Sequence, residues 1–245
     1  MCMLWCAILL QVNRKFKMGQ SRRNELFRVG LSLVNGKQGK PLMPLSHLIK
    51  NKPGDVHQHL VFHKPYGVLS KFTDSKGRPT LADYVEIPHV YPAGRLDMDS
   101  EGLLLLTSDG NLATRLTSPS YKVPKTYLVQ IERIPDEGVL VRLRHGVMVK
   151  GKRTRPATVH LLSQEPMVHA RPVPIRFRKS VPTAWLRMEI SEGMNRQIRR
   201  MTAQVGHPTL RVIRVAIGSI QLGTLAPGEW RIPSLSEIQG LLRPI

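Results

Sequence analysis

The stretch Gly94-Arg95-Leu96-Asp97-Met98-Asp99-Ser100-Glu101-Gly102-Leu103-Leu104-Leu105-Leu106-Thr107-Ser108-Asp109-Gly110 places a compact charged loop directly before the most apolar run in the chain. The four leucines are too few for a lone globular helix and are bounded by Gly102 and Asp109-Gly110, so they predict a strand buried on both faces. Asp97 therefore sits close to a rigid core. Three carboxylates within five residues, Asp97, Asp99 and Glu101, admit three readings: a hard-cation site, a solvated acidic loop, or a single catalytic carboxylate. An EF-hand is excluded, because the glycine and the distal glutamate fall at the wrong offsets.

Upstream of the loop, Leu60-Val61-Phe62-His63 predicts a short strand stopped by Lys64-Pro65-Tyr66-Gly67, where proline removes a donor and glycine permits a tight turn. His63 and Lys64 read as ordinary strand-end residues. A strand is expected to resume over residues 68–72, Thr80 to cap a short helix through Leu81, Tyr84 and Val85, and Val90-Tyr91 to enter the charged loop as a strand.

Downstream, Asp109-Gly110-Asn111 starts a helix with Leu112 and Leu116 on one face, ended by Ser118-Pro119. Residues 125–132 alternate as a strand with Tyr127, Val129 and Ile131 on one side, so the pattern by itself makes Tyr127 a core tyrosine with a satisfied hydroxyl. Pro135-Asp136-Glu137 opens a helix through Leu140 and Leu143 that Arg144-His145-Gly146 closes. Strands over residues 147–149 and 158–162 flank a basic turn, and the proline-rich loop 166–182 carries Arg171, Arg176, Arg178 and Lys179 with no acid, which suits phosphate contact.

Leu186, Met188 and Ile190 alternate with Arg187 and Glu189 as a half-buried strand. Over residues 195–205, Ile198, Met201 and Val205 make one helical stripe, with Arg196, Arg199 and Arg200 opposite as a solvated or an anion-binding face. Gly206-His207-Pro208 stops that helix with His207 as a capping residue, two short strands follow within residues 210–222, and a last helix runs over residues 235–242. Strands outnumber helices without βαβ alternation, so the expected class is α+β with a mostly antiparallel sheet.

The balance of 37 Lys+Arg against 17 Asp+Glu gives a formal charge of +20 and points to a polyanionic partner. Nucleic acid comes first and an anionic membrane second, since no run reaches the roughly 18 apolar residues of a membrane-spanning helix. The only cysteines, Cys2 and Cys6, support neither a disulfide framework nor a zinc site, which fits a reducing cytoplasm. No His, Cys and carboxylate cluster has zinc spacing. Residues 1–58 carry ten Lys/Arg and two acids and read as a basic extension, disordered or loosely touching RNA, with residues 59–245 as the folded domain. A transit peptide, with an organellar location, and a start codon placed too early are alternatives for the extension.

Gly94-Arg95-Leu96-Asp97 followed by Ser100-Glu101-Gly102-Leu103-Leu104 resembles the signature of pseudouridine synthases of the RsuA family. His63-Lys64-Pro65-Tyr66-Gly67-Val68-Leu69, Lys125-Thr126-Tyr127-Leu128-Val129, the stretch from Glu192 to Met201 (EGMNRQIRRM) and Gly228-Glu229-Trp230-Arg231 reinforce it in the family's order, from about residue 59 to about residue 240. Within the family the chain is most similar to the RluE type, which modifies large-subunit ribosomal RNA. The resemblance implies the pseudouridine synthase fold, a mixed, mostly antiparallel sheet flanked by helices, without an S4 domain. It also implies isomerisation of a uridine by a cytoplasmic monomer that contributes to ribosome biogenesis, needs no cofactor or metal, and engages neither membrane nor DNA.

By the same resemblance Asp97 is the nucleophile that attacks the ribose, Arg199 its charge partner, and Tyr127 the ring that stacks on the extruded uracil. Arg95 fills the space the base vacates, Ile190 lines the apolar wall, and Arg196, Arg200, Arg176 and Arg178 contact phosphates. An ionised carboxylate in a water-poor pocket needs such a cation. One departure stands out: the family often carries Arg or Lys where this chain has Met194. The rival reading is a non-catalytic RNA-binding or ribosome-assembly protein on the same scaffold. A DNA-binding regulator is disfavoured, because the Arg199 helix follows a strand and not another helix.

Overall fold

The four leucines lie on a strand, β5 (Glu101–Thr107), in which every residue is buried. The structure is a computed structural model that describes residues 49–52, 55–175 and 180–243. Before β5 come β1 (Ile49–Lys52), β2 (Asp55–His57), β3 (His59–Lys64) and the two-residue β4 (Tyr91–Pro92). After it follow α1 (Gly110–Thr117), β6 (Lys125–Glu132), α2 (Glu137–His145), β7 (Met148–Val149), β8 (Lys152–Arg153) and β9 (Thr158–Leu161). The chain continues through β10 (Thr183–Ile190), α3 (Gln197–Gln204), β11 (Thr209–Ile217), β12 (Ile220–Gln221), β13 (Trp230–Arg231) and α4 (Leu235–Leu242).

Among the described residues nine strands join one sheet in the order β13-β3-β5-β11-β6-β10-β9, with β4 on β5 and β12 on β11. β5 and β11 run parallel and the other pairs antiparallel, so the class is α+β as the strand count implies. β5 needs apolar residues on both faces because each face meets a separate core. Leu103 and Leu105 pack with Leu112, Leu116, Ile238 and Leu241, while Leu104 and Leu106 pack with Leu60, Phe62, Leu81 and Val85. Full burial of each such side chain stabilises by about 1.5–3 kcal/mol. A third cluster joins Tyr127, Val129, Ile131, Leu186, Met188 and Ile190 of the sheet to Leu140 and Leu143 of α2 and to Ile198, Met201 and Val205 at α3.

Local chemistry sets the ends of the helices. Asp109 caps α1 by accepting from the Asn111 and Leu112 amides at 2.8 and 3.1 Å. Asp136 caps α2 through the Val139 amide at 2.8 Å, and Ser234 with Glu237 forms a capping box at α4. Gly102 has φ +102°, and a Cβ there would lie 2.3 Å from the Arg214 carbonyl oxygen, so the parallel approach of β5 and β11 requires glycine.

Several expectations need correction. Residues 68–72 form no strand, because their hydrogen bonds go to a neighbouring loop: Leu69 N–H donates to Pro79 O and Leu81 N–H to Lys71 O, both at 2.9 Å. The Thr80 capping box forms, but the helix behind it is a single 3-10 turn, Leu81–Asp83. The first of the two strands in residues 210–222 is long, the nine-residue β11, since it is bonded by β5 on one side and β6 on the other. His207 caps α3 with its backbone, N–H donating to Thr202 O at 2.9 Å, and not with its ring, whose Nδ1 lies 3.0 Å from Glu132 O. Residues 1–48, 53 and 54 of the expected extension lie outside the described residues, and β1 and β2 pair as a hairpin where composition suggests disorder.

Candidate active site

The loop between β4 and β5 is pinned on both sides of Asp97. Leu96 is buried, its N–H donates to Ser70 Oγ at 3.0 Å, and Ser70 Oγ–H donates to Leu96 O at 2.8 Å. On the other side Gly67 N–H donates to Met98 O at 2.8 Å, and Ser100 N–H closes a turn onto Asp97 O at 3.0 Å. The turn that supplies Gly67 is itself tied down by Lys64, whose side chain is fully buried and whose Nζ donates to Pro65 O at 2.9 Å and Val68 O at 2.8 Å. Burial lowers the Lys64 pKa to about 8, against the upward pull of Glu101, Asp99 and Asp97. Lys64 is thus a buried tie and not an ordinary strand end.

The three carboxylates of the loop take three different fates. Glu101 is buried and meets Arg211 of β11 bidentately, at 2.9 Å from Nε and 2.7 Å from Nη2, so it staples β5 to β11. Asp99 accepts both Nη groups of Arg196, at 2.9 and 2.7 Å. Burial raises the Asp99 pKa, but the Arg196 hydrogen bonds and the charges of Arg199 and Arg196 outweigh it and hold the carboxyl below its ordinary value. Asp97 makes one ion-pair contact, to Arg196 Nη1 at 3.9 Å, and among the described residues no group donates a hydrogen bond to its carboxylate.

Arg199 makes its close contacts to Asp99, while Asp97, the partner the resemblance implies, acts on it through charge. Its Nη2 donates to Asp99 O at 2.6 Å; its Nε lies 3.3 Å from the Asp99 carboxylate, off the hydrogen-bond line and without another partner. Burial lowers its pKa, the Asp99 charge and then that of Asp97 oppose this, and Arg196 adds to it. Arg196 stands at the start of α3 in the left-handed conformation, φ 52° and ψ 37°.

Asp97, Tyr127, Arg199, Arg95, Ile190 and Arg196 line one cavity of about 380 Å3, and Met194 joins them in place of a cation. Tyr127 is 9% exposed and Arg95 is exposed at the rim. Arg200 is not in the cavity: it donates to Asn195 Oδ1 at 2.8 Å and lines a separate groove beside Lys150. Arg176 and Arg178 lie outside the described residues. Lys125 and Arg214 also line the cavity; from sequence Lys125 stands only at the head of the motif around Tyr127, and neither residue has a role. The alternation of β6 carried the signal for Lys125, which shares a strand face with Tyr127. Among the described residues no group of three or more His, Cys, Asp or Glu is placed to hold a metal ion.

Residues 58–204 match the family described as RNA pseudouridylate synthase. The chain is 52% identical over 201 residues to the ribosomal large subunit pseudouridine synthase E of Vibrio vulnificus, covering 78% of this chain and 86% of that protein. It is 55% identical over 175 residues to the protein of the same name from Xanthomonas campestris pv. campestris, covering 71% and 94%. Among solved structures, a pseudouridylate synthase crystal structure superposes with a TM-score of 0.64 at 30% identity, covering 76% of this chain and 74% of that one.

Proposed function

Because the chain belongs to the RNA pseudouridylate synthase family, we propose that it isomerises a uridine of large-subunit ribosomal RNA to pseudouridine, with Asp97 as the nucleophile. The observation that carries this reading is that Asp97, Tyr127, Ile190 and Arg199, from four separate segments, line a single cavity. The target base leaves its stack at a cost of a few kcal/mol, which the enzyme offsets by contacts in the cavity. In this reading Tyr127 stacks on the extruded uracil, Ile190 lines the apolar wall and the exposed Arg95 fills the vacated space.

The Asp97 carboxylate then attacks the ribose. A nucleophile needs free lone pairs, and the Asp97 oxygens are spared because Asp99 engages both Arg196 and Arg199. The two arginines thereby supply positive field beside Asp97 without occupying it. Arg200 in its separate groove, with Arg176 and Arg178, extends the contact to phosphates. A catalytic unit over residues 59–245 behind a basic extension is part of the same proposal, supported by a family match that begins at residue 58. So is a cytoplasmic location, where ribosomal RNA is found; among the described residues no helix is long and apolar enough to cross a membrane.

The test is a map of pseudouridines in ribosomal RNA from cells with and without this gene. A large-subunit position should lose its modification and regain it with the parent gene but not with Asp97→Asn. An unchanged map refutes the reading.

A further inference from the structure

We propose that Lys125 and Arg214 form a cationic floor to the cavity that stabilises the negative charge on uracil once its bond to the ribose breaks; this role rests on the isomerase reading above. Lys125 opens β6 and Tyr127 follows two residues on, so both side chains leave the same face of the strand. Across the ladder Arg214 of β11 stands opposite Tyr127, and all three line the cavity that holds Asp97.

Neither cation has a carboxylate partner among the described residues. Lys125 Nζ donates to Val123 O at 3.0 Å and Arg214 Nε to Leu103 O at 2.7 Å, both backbone carbonyls. Arg214 is 4% exposed, and its Nη2 is buried with no hydrogen-bond partner. Burial lowers the Lys125 pKa to about 8, and the neighbouring Arg214 adds to the shift. Two cations placed together in a poorly hydrated site without a counter-ion are destabilising unless an occupant brings negative charge. The same cavity thus holds the Asp97 carboxylate and these two cations, with Glu192 as its other acidic lining residue.

The reaction moves negative charge from Asp97 to the base. As an Asp97 oxygen bonds to the ribose carbon C1′, the C1′–N1 bond breaks and its electron pair stays on N1, delocalised onto the uracil carbonyl oxygens. Asp97 becomes a neutral ester and uracil an anion. When C5 then bonds to C1′, the ester C–O bond breaks and the carboxylate returns; the C5 proton is lost and N1 is protonated, so the product is an isomer. Lys125 and Arg214 neither gain nor lose a proton. Donors fixed in advance where charge develops are the most effective kind, because nothing has to reorganise as the bond breaks.

Two measurements test this. In single-turnover assays on a ribosomal RNA fragment, Lys125→Met should slow uridine conversion about 100-fold, the scale for losing one such donor. With 5-fluorouridine at the target position the detached base holds negative charge more easily, so the loss in bond cleavage should shrink to about 10-fold. Lys125→Arg should restore most of the rate. Equal losses on both substrates, or none, overturn the proposal, since a merely structural role does not discriminate between leaving groups. If Lys125→Met does not fold, Lys125→Gln takes its place.

Independently of turnover, the parent protein should bind 5-nitrouracil, an anion at neutral pH, at least about tenfold more tightly than uracil, and the variant should lose that preference. A parent that forms pseudouridine but shows no Lys125-dependent preference for the anion sinks the proposal alone. A parent that forms no pseudouridine on any ribosomal RNA sinks the isomerase reading with it.

Discussion

Asp97→Asn and Asp99→Asn, two residues apart and chemically identical changes, should fail in opposite ways. The amide at position 97 is nearly isosteric and cannot act as the nucleophile, so the rate should fall by about 10^4-fold or more. Its stability cost is set by what Asp97 holds, which is one contact to Arg196 at 3.9 Å between side chains that are 34% and 40% exposed. Pairs of that kind contribute about 0.2–1 kcal/mol, well below the roughly 3–5 kcal/mol of a broken buried pair. Asp99 holds far more: a bidentate Arg196 at 2.9 and 2.7 Å and the Nε of Arg199, whose side chain is 14% exposed, at 3.3 Å. Hydrogen bonds to charged groups contribute about 1.5–3 kcal/mol, so Asp99→Asn should cost about 1–3 kcal/mol and release Arg196 toward Asp97, lowering the rate partially. At about 2–4 °C per kcal/mol for a domain of this size, the melting point should drop by at most a few degrees for Asp97→Asn and clearly more for Asp99→Asn. Nucleoside analysis of a ribosomal RNA fragment, binding at fixed salt and thermal melts read the three quantities. RNA affinity should hold in both variants. A folded Asp97→Asn protein that converts uridine near the parent rate refutes the nucleophile, and a larger melting loss for Asp97→Asn than for Asp99→Asn refutes the assignment of partners.

Glu101→Gln breaks a pair whose side chains are 3% and 7% exposed, so it should cost about 3–5 kcal/mol and lower the melting point by roughly 6–20 °C; a drop under about 2 °C would show that the staple is dispensable. Gly102→Ala places a methyl group 2.3 Å from the Arg214 carbonyl oxygen at φ +102°, and the soluble yield should collapse; a folded, active variant would contradict the close approach of β5 and β11. His59 is 2% exposed and burial, the largest influence on it, lowers its pKa from 6.5 to about 4, with Asp109 opposing. The unfolded chain therefore binds the extra proton first, and stability present above pH 6.5 should decline as pH falls toward about 4, by up to roughly 3 kcal/mol. Denaturant titrations of the parent and of His59→Gln across that range should show the decline flattened in the variant; parallel curves would remove His59 as its source.

What was legible in the sequence is what short-range physics decides. A strand buried on both faces needs consecutive apolar residues, so Leu103, Leu104, Leu105 and Leu106 declared it. Asp109 and Asp136 marked helix starts because a cap bonds amides two or three residues on, and the 3.6-residue repeat placed Ile198, Met201 and Val205 in the core. Family resemblance, which depends on several motifs in order, identified the chemistry. Composition could not say what partners each charge would find. Glu101 meets Arg211 across 110 positions of chain, a contact that exists only because β5 and β11 are parallel neighbours in a particular register. Residues 68–72 have strand-like composition, yet the Leu69 amide and the Lys71 carbonyl are taken by the chain some ten residues on. The same holds at the site: three acids and three arginines in two motifs allow many pairings, and only the fold makes Asp99 the partner shared by Arg196 and Arg199 and leaves Asp97 open. Periodicity and capping act over a few residues and survive in sequence, whereas charge pairing, the burial of Lys64 and Arg214 and the place of Lys125 in the cavity depend on which strands the topology brings side by side.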